Sequence, residues 1–184
     1  MQTFPSMKFS LIVVYAVLFA WTTNALRGPS KLQRETPDTF KVFDGFEHAI
    51  AITDIDNDSI LDCLSAYRTA YDPEAHTATY VWSLASPDGN KSRQHASLHF
   101  KAGDTPDTVK FTVGSDDTVE VARFRFTDYK TCAVVELPHF GDQCTLWVND
   151  GVQDHIPEKC LDQFADICGN GVSHYDAEMC MDVE

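Results

Sequence analysis

Cysteines are the residues of this chain whose chemistry is easiest to constrain from spacing. There are six of them: Cys63, Cys132, Cys144, Cys160, Cys168 and Cys180. None belongs to a Cys-x-x-Cys pair, and zinc sites usually need such closely spaced ligands, so we expect no metal centre on these sulfurs. In an exported chain an even number of cysteines indicates a disulfide framework, although the sequence permits many pairings.

Two other groups of residues have side chains that bind metals. The acidic segment 54–62 resembles the start of a calcium loop, but Ser59 and Ser65 stand where such a loop needs Gly and Glu. Its Asp and Asn residues are typical of a turn. His95 and His99 share a face if they lie on a strand, but are then about 13 Å apart, which one ion cannot bridge. We therefore expect no metal ion and no other cofactor.

The chain carries none of the common catalytic signatures. It has no nucleophile elbow, no phosphate-binding loop, no His-Glu-x-x-His segment and no recognisable Cys–His arrangement. We therefore predict that it is not an enzyme. Its 28 acidic and 14 basic residues give a net charge of −14. This charge argues against nucleic acids and anionic membranes as partners, because both repel a negative surface.

The first residues indicate export. Lys8 is the only charged residue before Arg27, and the apolar run 9–21 is too short to span a membrane. Small residues precede a cleavage point after Ala25, so residues 1–25 are predicted to be a secretory signal peptide. We expect a secreted, extracellular protein.

After the signal peptide the chain divides into a tail and one domain. Residues 26–37 are polar and without periodicity, so we expect a flexible N-terminal tail. Residues 38–184 have the length of a single domain. The sequons at Asn57 and Asn90 fall in turn-like stretches and are candidate glycosylation sites.

Strand-like alternation dominates this domain. Candidate strands lie near 47–53, 60–70, 77–85, 94–101, 107–113, 118–127, 131–137 and 143–148. Turn residues separate them in the order of an antiparallel meander. A short helix is predicted over 38–46 and an amphipathic helix from Pro157 to Gly169. The pattern predicts a mostly β fold, an eight-stranded antiparallel barrel or sandwich, and a barrel of this size can hold one small ligand.

The C-terminal helix is predicted to pack on the outside of the sheet. Its apolar residues recur at helical spacing and form one face: Cys160, Leu161, Phe164, Ile167 and Cys168. Two cysteines therefore lie on the buried face of this helix, and two more lie on the strands that precede it. Disulfides between them would staple the helix to the sheet.

Alternation also predicts which strand residues face the interior. They are Tyr80, Trp82, Leu84, Ala96, Leu98, Phe100, Val109, Phe111 and Val113. The sixth strand is ambiguous, because Val119 and Val121 are apolar in one phase and the two phenylalanines that follow are apolar in the other. Either a β-bulge near Ala122 shifts the phase, or Arg123 and Arg125 point inward.

Three segments carry a resemblance to a known family: Cys132-x-Val134, Cys144-Thr-Leu-Trp147-Val148 and Ile156-Pro-Glu-Lys-Cys160-Leu-Asp-Gln-Phe164. Together they resemble the salivary lipocalins of ticks, the histamine-binding protein family. The resemblance implies a lipocalin barrel, secreted in saliva, that sequesters a small host inflammatory mediator and so aids evasion of host defence. It also implies three disulfides: Cys132–Cys160, Cys63–Cys180 and Cys144–Cys168.

Two positions depart from the amine-binding members of that family. Those members carry Asp directly after the strand cysteine and Glu two residues before the tryptophan, where this chain has Ala133 and Thr145. The carboxylates pair with the ammonium of the ligand in a low-dielectric cavity, where an unpaired cation is costly. The expected mediator is therefore either a biogenic amine such as histamine or a lipid such as a fatty acid, eicosanoid or sterol.

Four residues are the predicted ligand contacts. Trp147, Trp82 and Tyr80 are expected to line the pocket, because all three are aromatic residues of predicted strands. Arg123 is expected to anchor an acidic ligand if it points inward.

A second interpretation uses the barrel only as a scaffold. The acidic loops 54–58 and 115–120 would then bind and inhibit a host immune or clotting protein. An open, aromatic-lined cavity would favour small-molecule binding, whereas a filled interior would favour the scaffold.

Overall fold

The computed structural model describes residues 32, 34–55, 61–84, 93–177 and 180, and gives no side-chain environment for Phe140. The predicted signal peptide 1–25 and the sequons at Asn57 and Asn90 lie outside the described residues. Within the described parts of the chain, no helix is long and apolar enough to cross a bilayer.

Eight antiparallel strands close into a barrel, as the alternation predicts. They are β1 (His48–Asp54), β2 (Ser65–Asp72), β3 (Thr77–Leu84), β4 (Gln94–Ala102), β5 (Thr108–Val113), β6 (Asp116–Thr127), β7 (Cys132–Leu137) and β8 (Gln143–Asn149). Each strand pairs with the next along the chain, and β1 closes the barrel by pairing with both β2 and β8. A ninth strand that the sequence does not predict, β9 (Val172–Ser173), pairs with the end of β1.

Among the described residues, three helices accompany the barrel: α1 (Thr39–Gly45), α2 (His139–Asp142) and α3 (Glu158–Cys168). α1 begins where the Asp38 carboxylate accepts hydrogen bonds from two backbone N–H groups of the first turn. α3 begins after Pro157, whose fixed φ suits the start of a helix. It ends at Gly169, which has a φ of 86° that favours glycine. Both predicted helices are confirmed.

α1 closes the end of the barrel at which β1 begins. The ring of Phe43 lies inside, 5.2 to 5.7 Å from the rings of Tyr80, Phe100 and Phe124. These aromatic contacts fill the closed end of the barrel interior with apolar side chains of the short helix.

Hydrogen bonds fasten α1 to the barrel. The Tyr71 hydroxyl donates to the Phe40 carbonyl oxygen at 2.9 Å, and the side-chain amide of Asn149 donates to the Gly45 carbonyl oxygen at 2.9 Å. The Gly45 carbonyl lies in the last turn of the helix, where carbonyls have no partner within the helix.

Strands β1, β7 and β8 are buried on both faces. Their inward residues join the barrel interior, whereas Val134, Leu146 and Val148 pack outward against Phe164 of α3. This second core explains why these strands read as nearly continuous apolar runs rather than as alternating ones. The exposed Leu161 departs from the predicted helix face.

Three disulfides are present, with the pairings that the family resemblance implies. Cys132–Cys160 and Cys144–Cys168 fasten α3 to β7 and β8, with Cα–Cα distances of 6.1 and 5.9 Å. Cys63–Cys180 joins the turn before β2 to the C-terminal segment, with a Cα–Cα distance of 5.2 Å.

Of the two alternatives for β6, the β-bulge near Ala122 is wrong. The pairs Val109–Ala122 and Lys110–Val121 keep a regular register, so Ala122 faces inward and Val121 faces solvent. The irregularity against β7 lies further on, between Phe124 and Phe126.

This later bulge sends the two phenylalanines to opposite faces. Phe124 packs in the barrel interior, and Phe126 packs in the outer core beneath α3. The two phenylalanines share one phase of the sequence, but the bulge places each of them in a different core.

Candidate functional site

A cavity of about 70 Å³ lies inside the barrel next to α1. The predicted residues Tyr80, Trp82 and Trp147 all line it, and each is at most 6% exposed. The sequence therefore located three side chains that the fold brings together.

Small residues create the space around the two indoles. Trp147 pairs across strands with Ala133 on β7 and Ala51 on β1. Trp82 pairs with alanines on both of its neighbouring strands, at positions 66 and 96. Each indole thus lies between two methyl-sized neighbours, the large-and-small alternation that fills a narrow barrel. The two indole centroids are 5.3 Å apart, with ring planes at 45°.

The polar groups of Trp147, Thr145 and Tyr80 are hydrogen-bonded within the protein. The indole Nε1 of Trp147 donates to Thr145 Oγ1 at 2.7 Å, and the Thr145 hydroxyl donates to the Val135 carbonyl oxygen at 3.2 Å. The Tyr80 hydroxyl donates to the Phe46 carbonyl oxygen. Burial raises the pKa of Tyr80 above its ordinary value, so the phenol is neutral at physiological pH.

No charged side chain is among the described residues that line the cavity. Ala133 faces the cavity where amine-binding relatives are expected to have a carboxylate, and the buried Thr145 fills the second such position. The described lining therefore offers no counter-ion to a cationic or an anionic ligand.

Arg123 is not a cavity residue, which corrects the sequence expectation. Its side chain is 48% exposed on the outer face of β6, and its Nε lies 3.8 Å from Asp107 Oδ2. Arg125 also lies outside the lining, with its Nε 3.6 Å from Glu136 Oε1. The reason is the regular register through Ala122, which gives the inward position to alanine and the outward one to arginine.

The opposite end of the barrel is covered by a turn that we call the mouth cap, residues 61–64. Leu61 and Leu64 are fully buried and belong to the interior core. The Ala51 N–H donates to the Leu64 carbonyl oxygen at 3.0 Å. The alternation predicts a strand from residue 60 to residue 70, but the positive φ of 53° at Cys63 turns the chain before β2 begins.

The mouth cap is attached to the C-terminal segment by three links. Besides the Cys63–Cys180 disulfide, the Cys63 N–H donates to the His174 carbonyl oxygen at 3.0 Å, and His174 Nδ1 lies 2.6 Å from Asp62 Oδ1. The cap is thus held from outside the barrel as well as by its own leucines.

The residues first considered as metal ligands have other partners. Asp54 is buried and accepts hydrogen bonds from the N–H groups of Ile55 and Cys144, at 2.7 and 3.2 Å. The rest of the suspected calcium loop, residues 56–60, lies outside the described residues. The histidines of β4 sit on its outer side, where His99 Nδ1 lies 3.2 Å from Thr79 Oγ1.

A closed eight-stranded antiparallel barrel with a helix across one end and an apolar cavity inside is the architecture of the lipocalins. The chain belongs to the tick histamine-binding protein family, because the model of that family, described as tick histamine binding protein, matches residues 51–182. The matched range contains all six cysteines.

Solved structures share this fold at low sequence identity. AM182, in complex with serotonin, aligns with a TM-score of 0.61 and 15% identity over 80% of this chain and 96% of its own. Japanin from Rhipicephalus appendiculatus, bound to cholesterol, aligns with a TM-score of 0.51 and 16% identity over 69% of this chain and 90% of its own. Lobster apocrustacyanin A1 aligns with a TM-score of 0.53 and 14% identity over 71% of this chain and 77% of its own. No curated protein sequence matches the chain significantly.

Proposed function

We propose that this protein is a non-enzymatic carrier that sequesters a small, uncharged, largely apolar molecule inside its barrel. One observation carries the proposal: the cavity beside Trp82 and Trp147 is lined by apolar side chains and by no charged one among the described residues. The hydrophobic effect then favours an apolar guest, and a charged guest loses its hydration without gaining a partner.

An ammonium ligand such as histamine fits this cavity poorly. Ala133 presents a methyl group to the cavity, and the Thr145 hydroxyl is already bonded to Trp147 and Val135. A buried cation without a carboxylate is costly. Relatives of this fold were solved with an amine and with a sterol, serotonin in AM182 and cholesterol in japanin, and the lining here favours the sterol type.

A fatty acid is also disfavoured relative to a neutral lipid. The predicted anchor Arg123 lies on the outer surface beside Asp107, so no described cation faces the cavity to receive a carboxylate. Neutral lipids need no such partner.

Binding requires the interior to widen. Pockets that hold drug-sized ligands are typically about 300–1,000 Å³, well above the 70 Å³ seen here. Trp82 and Trp147 each lie between two alanines, so the widening that we propose is a rotation of these indoles. The mouth cap provides the way in, because it covers the end of the barrel that α1 leaves free.

The setting that we propose is export into tick saliva and scavenging of a host mediator. The apolar N-terminal run 9–21 and three disulfides support an oxidising, extracellular compartment. Removal of a mediator from host tissue would weaken the host's inflammatory response.

The second candidate function is inhibition of a host protein by the barrel as a scaffold. The small volume of the cavity favours it, because a nearly filled interior is what a pure scaffold needs. The hairpin between β5 and β6 would supply the contact, since Asp116 and Asp117 are exposed there.

Titration of the disulfide-intact protein distinguishes these functions. Cholesterol, arachidonic acid and histamine are added separately while tryptophan fluorescence and heat are recorded. We expect saturable binding of cholesterol with a change in the emission of Trp82 and Trp147, weaker binding of arachidonic acid and none of histamine. Tight histamine binding would refute the apolar-ligand proposal. If none of the three compounds binds, the scaffold function is favoured.

A further inference from the structure

We propose that Trp82 determines the class of ligand, because its indole N–H is the one side-chain donor of the described cavity lining that no described acceptor engages. The class that this donor favours is an apolar molecule with a single neutral oxygen acceptor, such as a ketone, an ether or an alcohol. This inference rests on the proposed binding of a largely apolar molecule in the barrel.

Three described side chains of the lining carry a polar atom: Tyr80, Trp82 and Trp147. The Trp147 indole donates to Thr145 Oγ1 at 2.7 Å, and the Tyr80 hydroxyl donates to the Phe46 carbonyl oxygen. Among the described residues, none accepts a hydrogen bond from Trp82 Nε1. Every other described side chain of the lining is an alanine, valine, leucine or phenylalanine. One donor is thus available on a surface that is otherwise apolar.

The strands around Trp82 offer it no side-chain acceptor. Ala66 on β2 and Ala96 on β4 are its cross-strand partners, and Leu84 follows it on the same face of β3. None of these three side chains has an oxygen or nitrogen atom. Trp82 is 5% exposed, and buried donors in proteins normally have a partner. The acceptor that completes this donor therefore comes from a molecule inside the cavity.

The unengaged N–H distinguishes among ligands of similar shape. A neutral oxygen that reaches it regains a hydrogen bond in place of the one that it gives up with water, whereas a hydrocarbon leaves the donor without a partner. An ammonium group can only donate, so it gains nothing from an N–H group. A carboxylate can accept, but its charge must leave water for a lining in which no described residue is a cation.

Trp147 provides a matched control, because it is the second indole of the same cavity and its N–H is already bonded to Thr145. Replacing either tryptophan by Phe removes a similar volume, but only Trp82→Phe removes the unengaged donor. Trp147→Phe frees the oxygen of Thr145, which is an acceptor, while the Thr145 hydroxyl still donates to the Val135 carbonyl oxygen. The two variants therefore separate the loss of volume from the loss of a donor.

The experiment compares indane with 1-indanone, two probes of similar shape that differ by one carbonyl oxygen. Dissociation constants are measured by calorimetric titration for the disulfide-intact wild-type protein, Trp82→Phe and Trp147→Phe. The 1-indanone-to-indane affinity ratio should fall about three- to tenfold in Trp82→Phe, because the donor to the carbonyl is lost. Trp147→Phe should keep the wild-type ratio, even where both affinities change.

A second measurement reports on the donor directly. The ¹⁵N-labelled indole signals of Trp82 and Trp147 are followed during titration and are told apart by the two variants. The indole N–H proton of Trp82 should move further downfield with 1-indanone than with indane. The corresponding proton of Trp147 should respond alike to both probes, because it remains bonded to Thr145.

The possible failures are distinguishable. If both probes bind and the affinity ratio is unchanged in Trp82→Phe, or falls equally in both variants, the role of Trp82 is refuted and the carrier function stands. Failure of both probes on every folded variant refutes carriage of small apolar molecules and the inference with it. If Trp82→Phe does not fold, the wild-type signals decide, and equal shifts of the Trp82 proton with the two probes overturn the proposal.

Discussion

The indoles of Trp82 and Trp147 face each other across the barrel interior, with their centroids 5.3 Å apart. The two residues are far apart in sequence, and the barrel brings them together because β3 and β8 stand on opposite sides of β1 and β2. Their contact occupies space that a ligand must use. The contact between the two indoles therefore stabilises the empty barrel but reduces the volume that is open to a ligand.

Truncation of one indole should expose this opposition. We expect Trp147→Ala to lower the free energy of unfolding by about 3–5 kcal/mol, the usual cost of removing a large buried aromatic side chain. Cholesterol should restore part of that stability by filling the enlarged cavity. Urea unfolding with and without cholesterol measures both effects. Tyr67→Ala is the control, because Tyr67 is exposed on the outer face and should change stability by less than about 0.5 kcal/mol.

Neighbouring residues of β6 should differ sharply in their effect on binding. Arg123→Ala removes an exposed ion pair with Asp107, so we expect unchanged ligand affinity and less than about 1 kcal/mol of lost stability. Ala122→Leu places a larger side chain in the cavity and should abolish cholesterol binding. Titration of both variants tests the assignment of faces. A loss of affinity in Arg123→Ala would restore arginine as a ligand anchor.

The sequence predicts the parts of this fold that depend on local periodicity. Alternation correctly places Tyr80, Trp82 and Leu98 inside, because β3 and β4 have one face in the core and one toward solvent. It fails on β6, where Phe124 and Phe126 belong to two different cores and Val121 is exposed. Phe126 is buried on the outer face because α3 covers that face. The sequence of β6 alone does not show where α3 packs.

Two features of the site depend on tertiary structure, and the sequence analysis predicts neither of them. The mouth cap needs a positive φ at Cys63, a conformation that cysteine does not favour and that its surroundings impose. The bond from Trp147 to Thr145 is the more predictable of the two. A hydroxyl residue two positions before an inward tryptophan on one strand indicates it, although only the structure gives the 2.7 Å distance.

Acid should weaken the turn between β6 and β7 through Asp128. Burial by itself raises the pKa of this carboxyl, but hydrogen bonds from the Thr131 hydroxyl and from the N–H groups of Thr131, Cys132 and Lys130 outweigh burial, so the pKa lies below its ordinary value. The folded state thus gains stability from Asp128 above about pH 3.9, the unfolded value, and loses it as the pH falls through the lower folded pKa.

Asp128→Asn tests this pH dependence, because the amide keeps an acceptor oxygen and removes the titration. The free energy of unfolding, measured by urea between pH 2 and pH 6, should fall less steeply on acidification in the variant than in the wild-type protein. Parallel curves would show that Asp128 does not contribute. Asp128→Ala also removes the acceptor of the backbone hydrogen bonds and should cost about 1–2 kcal/mol at neutral pH.

The mouth cap should control both stability and the rate of ligand release. Replacing Cys63 and Cys180 by Ser opens a loop with a sequence separation of 117 residues, for which the chain-entropy model gives about 4–5 kcal/mol of lost stability. The cap then keeps its hydrogen bonds to Ala51, Arg93 and His174 and its buried leucines. We expect bound cholesterol to dissociate several times faster, measured by stopped-flow transfer to lipid vesicles.

The disulfide between Cys144 and Cys168 provides the matched control, because it lies between β8 and α3, away from the mouth cap. Its sequence separation is 24 residues, so replacing both cysteines by Ser should cost less, about 3 kcal/mol. The protein should unfold at lower urea while cholesterol still leaves at the wild-type rate, since the cap is untouched. Equal acceleration of release in both disulfide variants would mean that ligand escapes by general loosening of the barrel. Acceleration confined to the Cys63–Cys180 variant would identify the cap as the route, because only that variant removes the covalent link between the cap and the C-terminal segment.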